Sequence, residues 1–244
     1  MTEQMINLEP KPMENHLQEL YSLVKNTILF ASISAIGWSI VSPQLLTDWV
    51  NLFNIADNID QLSIYSPFNW IEVKWSFSIM MGITTAFPLF SVMLYRFSKP
   101  GLYPNELFPV KIILIANSLL LPFSIFLIWA WGVPYMVKYA NGLSQIENIS
   151  AKYDLFEIVN LALGLTLMAT ISFILTTSLI LSRIIGEVDG IYTWLRPRII
   201  IISFGLFIIM IPSVFEGLRI ALAFVIIYAS DLFARSIPLA GNMN

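Results

Sequence analysis

The stretch IIIISFGLFIIMIPSVFEGLRIALAFVIIYASDLF, residues 199–233, decides how many times this chain crosses a membrane. As a single helix it would extend about 52 Å, far beyond the ~30 Å of a hydrocarbon core. It is interrupted by Pro212-Ser213 and by the polar run Glu216-Gly217-Leu218-Arg219, which both favour the end of a helix. The stretch therefore predicts two short spans, Ile199–Ile211 and Leu218–Phe233, joined by a tight turn.

Four longer apolar segments precede this stretch, and each has about the 20 residues that one crossing needs. The whole chain of 244 residues is 57% hydrophobic and 12% charged, whereas soluble domains carry roughly 25% charged residues. We therefore expect an all-α integral membrane protein with six transmembrane helices, the fifth and sixth being short. The four longer spans are predicted at Asn26–Leu46, Trp70–Tyr95, Phe108–Val133 and Phe156–Leu181.

One membrane domain, residues 1–244, is expected, with an N-terminal arm (1–25), a six-span bundle (26–235) and a tail (236–244). The basic residues orient this domain, since cytoplasmic loops are enriched in Lys and Arg. With the N-terminus inside, nine basic residues lie on the cytoplasmic side and four on the outer side, which predicts that both termini are cytoplasmic. The inner set is Lys11, Lys25, Arg96, Lys99, Lys111, Arg183, Arg196, Arg198 and Arg235, and the outer set is Lys74, Lys138, Lys152 and Arg219.

The loops differ in length between the two sides. The outer loops, about Thr47–Asn69 and Pro134–Leu155, are long enough to hold short amphipathic helices on the membrane surface. The N-terminal segment Met1–Glu14 is polar and lacks the apolar core of a cleaved signal peptide. These features indicate the plasma membrane of a prokaryote or the inner membrane of an organelle.

Composition excludes several classes of function. The chain has no cysteine and one histidine, His16, so thiolate chemistry and a histidine-based metal cluster are not expected. Metalloprotease, nucleophile-elbow and phosphate-loop motifs are absent from the sequence. The net charge of −3 gives no basis for a nucleic-acid surface. We expect a protein that is not an enzyme, needs no cofactor or metal, and binds no nucleic acid.

The inner loop after the second span carries a carboxylate beside a proline-shaped turn. It reads Phe97-Ser98-Lys99-Pro100-Gly101-Leu102-Tyr103-Pro104-Asn105-Glu106. A second carboxylate, Glu19, precedes the first span on the same face, so the pair suggests a site for a cationic ligand. The alternatives are ordinary: Glu106 is a solvated loop acid, and Glu19 is one of several acids in a polar arm.

These residues resemble the TatC family, the polytopic subunit of the twin-arginine protein translocase. The family's entry motif His-Leu-x-Glu-Leu is matched at residues 16–20, and Ser-Pro-Phe at the end of the first outer loop is matched at 66–68. The inner-loop motif Phe-x-x-Pro-x-Leu-Tyr-x-x-Glu is matched at 97–106, and Arg-Pro before the fifth span at 196–197. The resemblance runs from about His16 to Arg235.

The resemblance implies a function in export of folded proteins, driven by the proton gradient. Signal peptides with an Arg-Arg motif would be the ligand, since each guanidinium pairs bidentately with a carboxylate in a geometry that lysine cannot reproduce. The implied partners are those signal peptides, single-span subunits of the TatA/TatB type packing on spans five and six, the lipid bilayer, and further copies of the chain. The implied signal-binding residues are Glu19 and Glu106, with Phe97, Pro100, Leu102 and Tyr103 shaping the groove.

The chain departs from the family pattern at three places. The arginine expected after the entry motif is Tyr21, the glutamate expected in span four aligns with Ile174, and the acid of the last outer turn aligns with Ser213. Residues that could contact a partner helix instead are Thr176, Thr177, Pro212 and Glu216. For the hydroxyls of span four, bonding back to the helix carbonyls is the favoured alternative, and for Glu216 it is a local pair with Arg219.

Two other functions remain open at this point. A divergent TatC-like paralogue would keep the fold as a structural or regulatory subunit without binding signal peptides, and the three departures motivate it. An unrelated six-span transporter would need ionisable groups near the membrane midplane. The predicted span centres contain no acid or base, which counts against an ion-coupled carrier.

Overall fold

The computed structural model describes residues 13–53, 62–63, 66–146, 153–186 and 191–236, and these are almost entirely helical. Two short strands, β1 (Leu62–Ser63) and β2 (Tyr153–Asp154), pair in parallel and join the two outer loops. Within these ranges the helices in chain order are α1 (Met13–Asn51), α2 (Pro67–Ser98), α3 (Leu107–Leu127), α4 (Val133–Ile146), α5 (Leu155–Gly186), α6 (Ile191–Met210) and α7 (Arg219–Ser236).

Six helical segments in the described ranges are long and apolar enough to cross a membrane, as predicted. Helices α3 and α4 form one of them because a π-helical turn, Ile128–Gly132, connects them without a break. The fifth and sixth spanning segments are the shortest, with 18 and 23 residues, against 30 to 37 residues in the other four. The predicted fold class is confirmed.

The break between the last two spans lies where the sequence predicts it. Helix α6 ends at Met210, Pro212 is extended, and a 3₁₀ helix at Ser213–Leu218 leads into α7. The predicted start of span five at Ile199 is too late, because α6 already begins at Ile191 and runs through Pro197. Its 20 residues extend about 30 Å, which is long enough to cross a hydrocarbon core.

Helix α1 begins well inside the predicted N-terminal arm, at Met13. Residues 1–12 of that arm and 237–244 of the tail lie outside the described residues, as do 147–152 of the second outer loop. Helix α4 occupies the predicted position of a helix in that loop, as a continuation of span three. In the first outer loop the described residues contain β1 and the end of α1, and no separate helix.

The π-helical turn is held by two indole N–H groups. Its widened hydrogen-bond pattern leaves backbone carbonyls available, and the carbonyl of Trp129 accepts a 2.6 Å bond from Nε1 of Trp49. The indole of Trp129 in turn donates to Oγ1 of Thr166 at 2.9 Å. All three side chains are buried. These bonds therefore satisfy polar atoms for which lipid offers no hydrogen-bond partner.

Close packing of small residues fixes the register of α1 against α2. A Cβ on Gly82 would stand 2.7 Å from both the carbonyl oxygen of Ala31 and the Cβ of Ala35, so only glycine permits this approach. The two helices run antiparallel from this contact. Glu19 is about 14 residues from it along α1 and Phe97 is 15 along α2, so both lie about 21–23 Å away on the same side.

Helix α5 lies at the centre of the bundle and contacts α2, α3, α6 and α7. One core cluster, around Trp129 and Phe77, fills the outer half between α1, α2, α3 and α5. The other, around Leu179 and Phe207, joins α5 to α6 and α7. The last two helices therefore form a hairpin that is attached to the rest of the protein mainly through α5.

Candidate functional site

The connection between α2 and α3, which the sequence predicts to be cytoplasmic, is a compact, hydrogen-bonded turn. Helix α2 ends at Ser98, a 3₁₀ turn covers Lys99–Gly101, and the N–H of Leu102 donates to the carbonyl of Lys99 at 3.4 Å. The N–H of Glu106 then donates to the carbonyl of Tyr103 at 2.9 Å, one residue before α3 begins. The segment 97–106 is therefore shaped by its own backbone bonds.

The carboxylate of Glu106 is buried, with 5% of the residue exposed. Its Oε2 accepts a 2.9 Å hydrogen bond from the backbone N–H of Tyr103. Together with the bond from the N–H of Glu106 to the carbonyl of Tyr103, this closes the turn 103–106, and the carboxylate satisfies a backbone N–H of the same turn. The alternative that Glu106 is a solvated loop acid is wrong.

The other four predicted groove residues divide by exposure. Phe97 and Leu102 are half-buried, whereas Pro100 and Tyr103 are exposed. Tyr103, with 58% of its surface exposed, lies next to the buried carboxylate in the same turn. This arrangement pairs an apolar and aromatic surface with one fixed acceptor, which suits a ligand that has a cation within an apolar context.

Glu19 lies in the second turn of α1 and is half-buried. The register of α1 against α2 places Glu19 at the level of Phe97. Phe97 is the first residue of the segment 97–106, which ends at Glu106. Lys99, in the same segment, is exposed. Its charge is screened by water and salt, whereas a buried carboxylate is screened much less.

Two of the four predicted partner contacts, Thr176 and Pro212, form contacts within the bundle. Oγ1 of Thr176 donates to the carbonyl of Ser172 at 2.8 Å, which confirms the back-bonding alternative for this residue, and Thr177 is half-buried. Pro212 packs against Gly164 of α5, where a Cβ would overlap the proline ring. Glu216 is exposed in the turn before α7. The local pair predicted for it is wrong, since within the described residues no ion pair joins it to Arg219.

Ile174, which stands where the family pattern has an acid in span four, faces out of the bundle. Ile174 is 50% exposed on α5, so an isoleucine presents an apolar surface where the family pattern has a carboxylate. Its neighbours on the buried side, Leu175 and Leu179, belong to the second core cluster. A substitution at Ile174 would therefore change the outer surface of α5 and leave its core packing intact.

A charged cluster at the inner ends of α5, α6 and α7 was not found by sequence reasoning. Asp231 is 6% exposed and accepts two bonds from Arg196, from Nε to Oδ1 at 2.8 Å and from NH2 to Oδ2 at 2.7 Å. Arg235 reaches the same Oδ2 at 2.8 Å. Arg183 donates to the carbonyls of Ala234 and Arg235 at the end of α7. In the sequence, the one sign of this cluster is the spacing of Asp231 and Arg235, an acid four residues before an arginine at the end of an apolar span.

The described residues include no group of three or more acids or histidines that could hold a metal ion. Two grooves, of about 590 Å³ at Leu52 and Ala130–Lys138 and about 500 Å³ along α1, lie away from Glu106. Neither groove includes a residue of the turn at 97–106.

Comparison with known proteins bears on the whole chain. A family model described as Sec-independent protein translocase protein (TatC) matches residues 15–222. A crystal structure of the twin-arginine translocase receptor TatC has a TM-score of 0.67 at 19% identity, covering 90% of this chain and 97% of that chain. A second, of the TatC receptor in DDM, has a TM-score of 0.61 at 18% identity, covering 90% and 99%.

No curated protein sequence matches the chain significantly. At identities below 20% the two crystal structures establish the likeness of the fold, and they agree with the six spans and their order. The family model, in contrast, is matched by the sequence itself over most of its length. The chain therefore belongs to the TatC family of Sec-independent protein translocase proteins.

Proposed function

We propose that this protein is the receptor core of a twin-arginine translocase and that it binds the Arg-Arg motif of signal peptides at Glu106 and Glu19. The observation that carries the proposal is the buried, oriented carboxylate of Glu106. One of its oxygens accepts the N–H of Tyr103 at 2.9 Å. An ionised carboxylate has about four acceptor positions, so a guanidinium can still pair with it.

The burial of Glu106 explains how arginine would be preferred over lysine. A guanidinium brings a planar pair of donors, whereas an ammonium is a point charge that holds its water more strongly. A carboxylate fixed by a backbone bond loses little freedom when it pairs, so the geometric match is retained in the binding free energy. Charge-assisted bonds of this kind contribute roughly 1.5–3 kcal/mol each.

Glu19 supplies the second carboxylate in this proposal. It lies on α1 at the level of Phe97, on the same side of the membrane as the turn. With both termini cytoplasmic, the two carboxylates would meet a signal peptide before export. The apolar part of the signal would then lie against the spans, and single-span Tat subunits would pack on the exposed faces of α6 and α7.

Photo-cross-linking tests this assignment. A photoreactive residue at Asn105, which is exposed beside Glu106, would be presented with signal peptides carrying Arg-Arg or Lys-Lys. We expect strong labelling by the Arg-Arg peptide and at least about tenfold less by the Lys-Lys peptide, the effect of losing one charge-assisted pair. Equal labelling by both peptides would refute the receptor function.

A second candidate function is favoured by two exposed positions, one on α5 and one on α1. Ile174 is exposed where the family pattern has an acid, and Tyr21, 69% exposed, replaces an arginine beside the entry motif. A paralogue acting as a structural or regulatory subunit would need neither charge. The two candidates differ in the cross-linking experiment, since such a subunit would label weakly and equally with both peptides.

A further inference from the structure

The membrane-facing surface of α1 carries a long, shallow groove of about 500 Å³. It runs from Tyr21 to Ile36, about 22 Å along the helix axis, and so reaches from one edge of the membrane past its middle. Its lining is mostly bulky and aliphatic: Val24, Ile28, Leu29, Ile33 and Ile36, with Tyr21, Lys25 and Ser32 as the polar members.

The groove exists because Ser32 lies between two isoleucines on one stripe of the helix. Ile28 and Ile36 are each four residues from Ser32 and therefore lie on the same face. Both are about 60% exposed, and the small serine leaves a depression between them. Helix α1 packs mainly against α2, and this depression lies on the side that the described residues leave open.

One end of the groove is cationic. Lys25 and Tyr21 are one turn apart, at the edge of the apolar part of α1, where Lys and Tyr side chains extend toward the headgroup layer. Within the described residues Lys25 forms no ion pair, and the groove lining contains no acid. The groove therefore combines an apolar channel with a positive charge, which no acid pairs with among the described residues, and a hydroxyl at the membrane edge.

We propose that this groove binds one phospholipid with an anionic headgroup. The phosphate and its neighbouring anionic group would lie against Lys25 and the Tyr21 hydroxyl, with an acyl chain along Ile28, Ser32 and Ile36. A partner helix suits the groove less well. Helix–helix contacts in membranes use small residues that let backbones approach, and here Ser32 is the single small residue of the lining.

Native mass spectrometry of the full chain in detergent tests the proposal. Phosphatidylglycerol and phosphatidylcholine with identical acyl chains would be added separately. We expect one phosphatidylglycerol to be retained preferentially. Lys25→Gln should lower its retention about fivefold, the effect of one lysine at an anionic surface, and Ser32→Phe should abolish it by filling the depression.

Lys111→Gln is the matched control, because Lys111 is also an exposed lysine near the inner edge of the membrane but lies on α3, outside the groove. It should retain phosphatidylglycerol as the unchanged chain does, and all three variants should show the same thermal transition in lipid-free detergent. Equal retention of both lipids by the unchanged chain would overturn the proposal. An equal loss in Lys111→Gln, or displacement of the lipid by inorganic phosphate, would also overturn it.

Discussion

Asp231 of α7 accepts two hydrogen bonds from Arg196 of α6, at 2.7 and 2.8 Å, and this bidentate pair closes the inner end of the last helical hairpin. Asp231 is buried, while the side chain of Arg196 is 33% exposed. The pair is therefore only partly shielded from water. It ties two short helices together where their apolar contacts end.

Asp231→Asn should destabilise the folded protein by about 1.5–3 kcal/mol, because an arginine would lose a charged partner. The thermal midpoint in detergent would measure this loss. Arg235→Gln is the control: it removes an exposed partner of the same carboxylate, spaced four residues along α7, and should cost only about 0.3–0.5 kcal/mol. Equal losses in the two variants would contradict the dominant role given to Arg196.

The outer end of the same hairpin depends on Gly164. Gly164→Ala should destabilise the protein by about 1–3 kcal/mol, because its Cβ would overlap the ring of Pro212. Gly205→Ala is the matched control, since nothing lies within 4 Å of a Cβ at that position, and it should be neutral or slightly stabilising. Adding Pro212→Ala to Gly164→Ala should restore most of the lost stability. If the double variant instead lost the sum of what Gly164→Ala and Pro212→Ala lose singly, the result would argue against the contact.

The orientation of the chain can be tested with single cysteines, since the sequence has none of its own. Asn105 lies in the turn before α3, near the level where α1 begins. Asn51 is the last residue of α1 and therefore lies at the other end of the bundle, and both asparagines are exposed. Cysteines at the two positions should react with a membrane-impermeant thiol reagent from opposite sides, with Asn105→Cys labelled from the cytoplasm. Labelling of Asn105→Cys from outside would reverse the topology and remove Glu106 from the side where signals arrive.

The loss of the span-four acid also has a measurable consequence. Ile174→Glu should change the yield of a co-expressed single-span Tat subunit that copurifies with the chain, since a carboxylate there would be exposed to a partner helix. Leu167→Glu, at a similarly exposed position two turns away on α5, should leave that yield unchanged. If both variants behave alike, the position has no special role in association.

The number of spans could be predicted from the sequence because the interruption at Pro212 is local. A proline lacks the N–H that a helix needs, whatever surrounds it. Pro197 shows the limit of this rule: α6 runs through it near its inner end. The π-helical turn at Trp129 could not be predicted, because the bond that holds it comes from Trp49, 80 residues away.

The place of Glu106 in the chain could be predicted from the sequence, but its surroundings could not. The pattern placed Glu106 in the loop between the second and third spans, after a proline turn, and the structure agrees with that position. Its burial depends on how α2 and α3 approach each other, and its bond to Tyr103 depends on the turn that forms between them. Asp231 was missed for the same reason, since only the packing of α6 against α7 brings Arg196 to it.

The central claim is that the charge of Glu106 recognises Arg-Arg signals. The competing explanation for any effect of mutation there is a structural role, in which its carboxylate holds the turn through the N–H of Tyr103. Glu106→Gln separates the two, because glutamine can accept the Tyr103 N–H as glutamate does but carries no charge. Lys99→Gln is the control in the same turn. Because Lys99 is positive, as the arginines of the signal are, its removal should leave binding unchanged or slightly stronger.

The deciding measurement is the binding of an Arg-Arg signal peptide to the full chain in detergent, compared between the unchanged protein and Glu106→Gln at equal thermal stability. We predict that Glu106→Gln weakens Arg-Arg binding at least about tenfold, to the level of a Lys-Lys peptide. Binding that is unchanged in Glu106→Gln, and lost only when Glu106→Ala removes the bond to the Tyr103 N–H as well, would contradict the proposal.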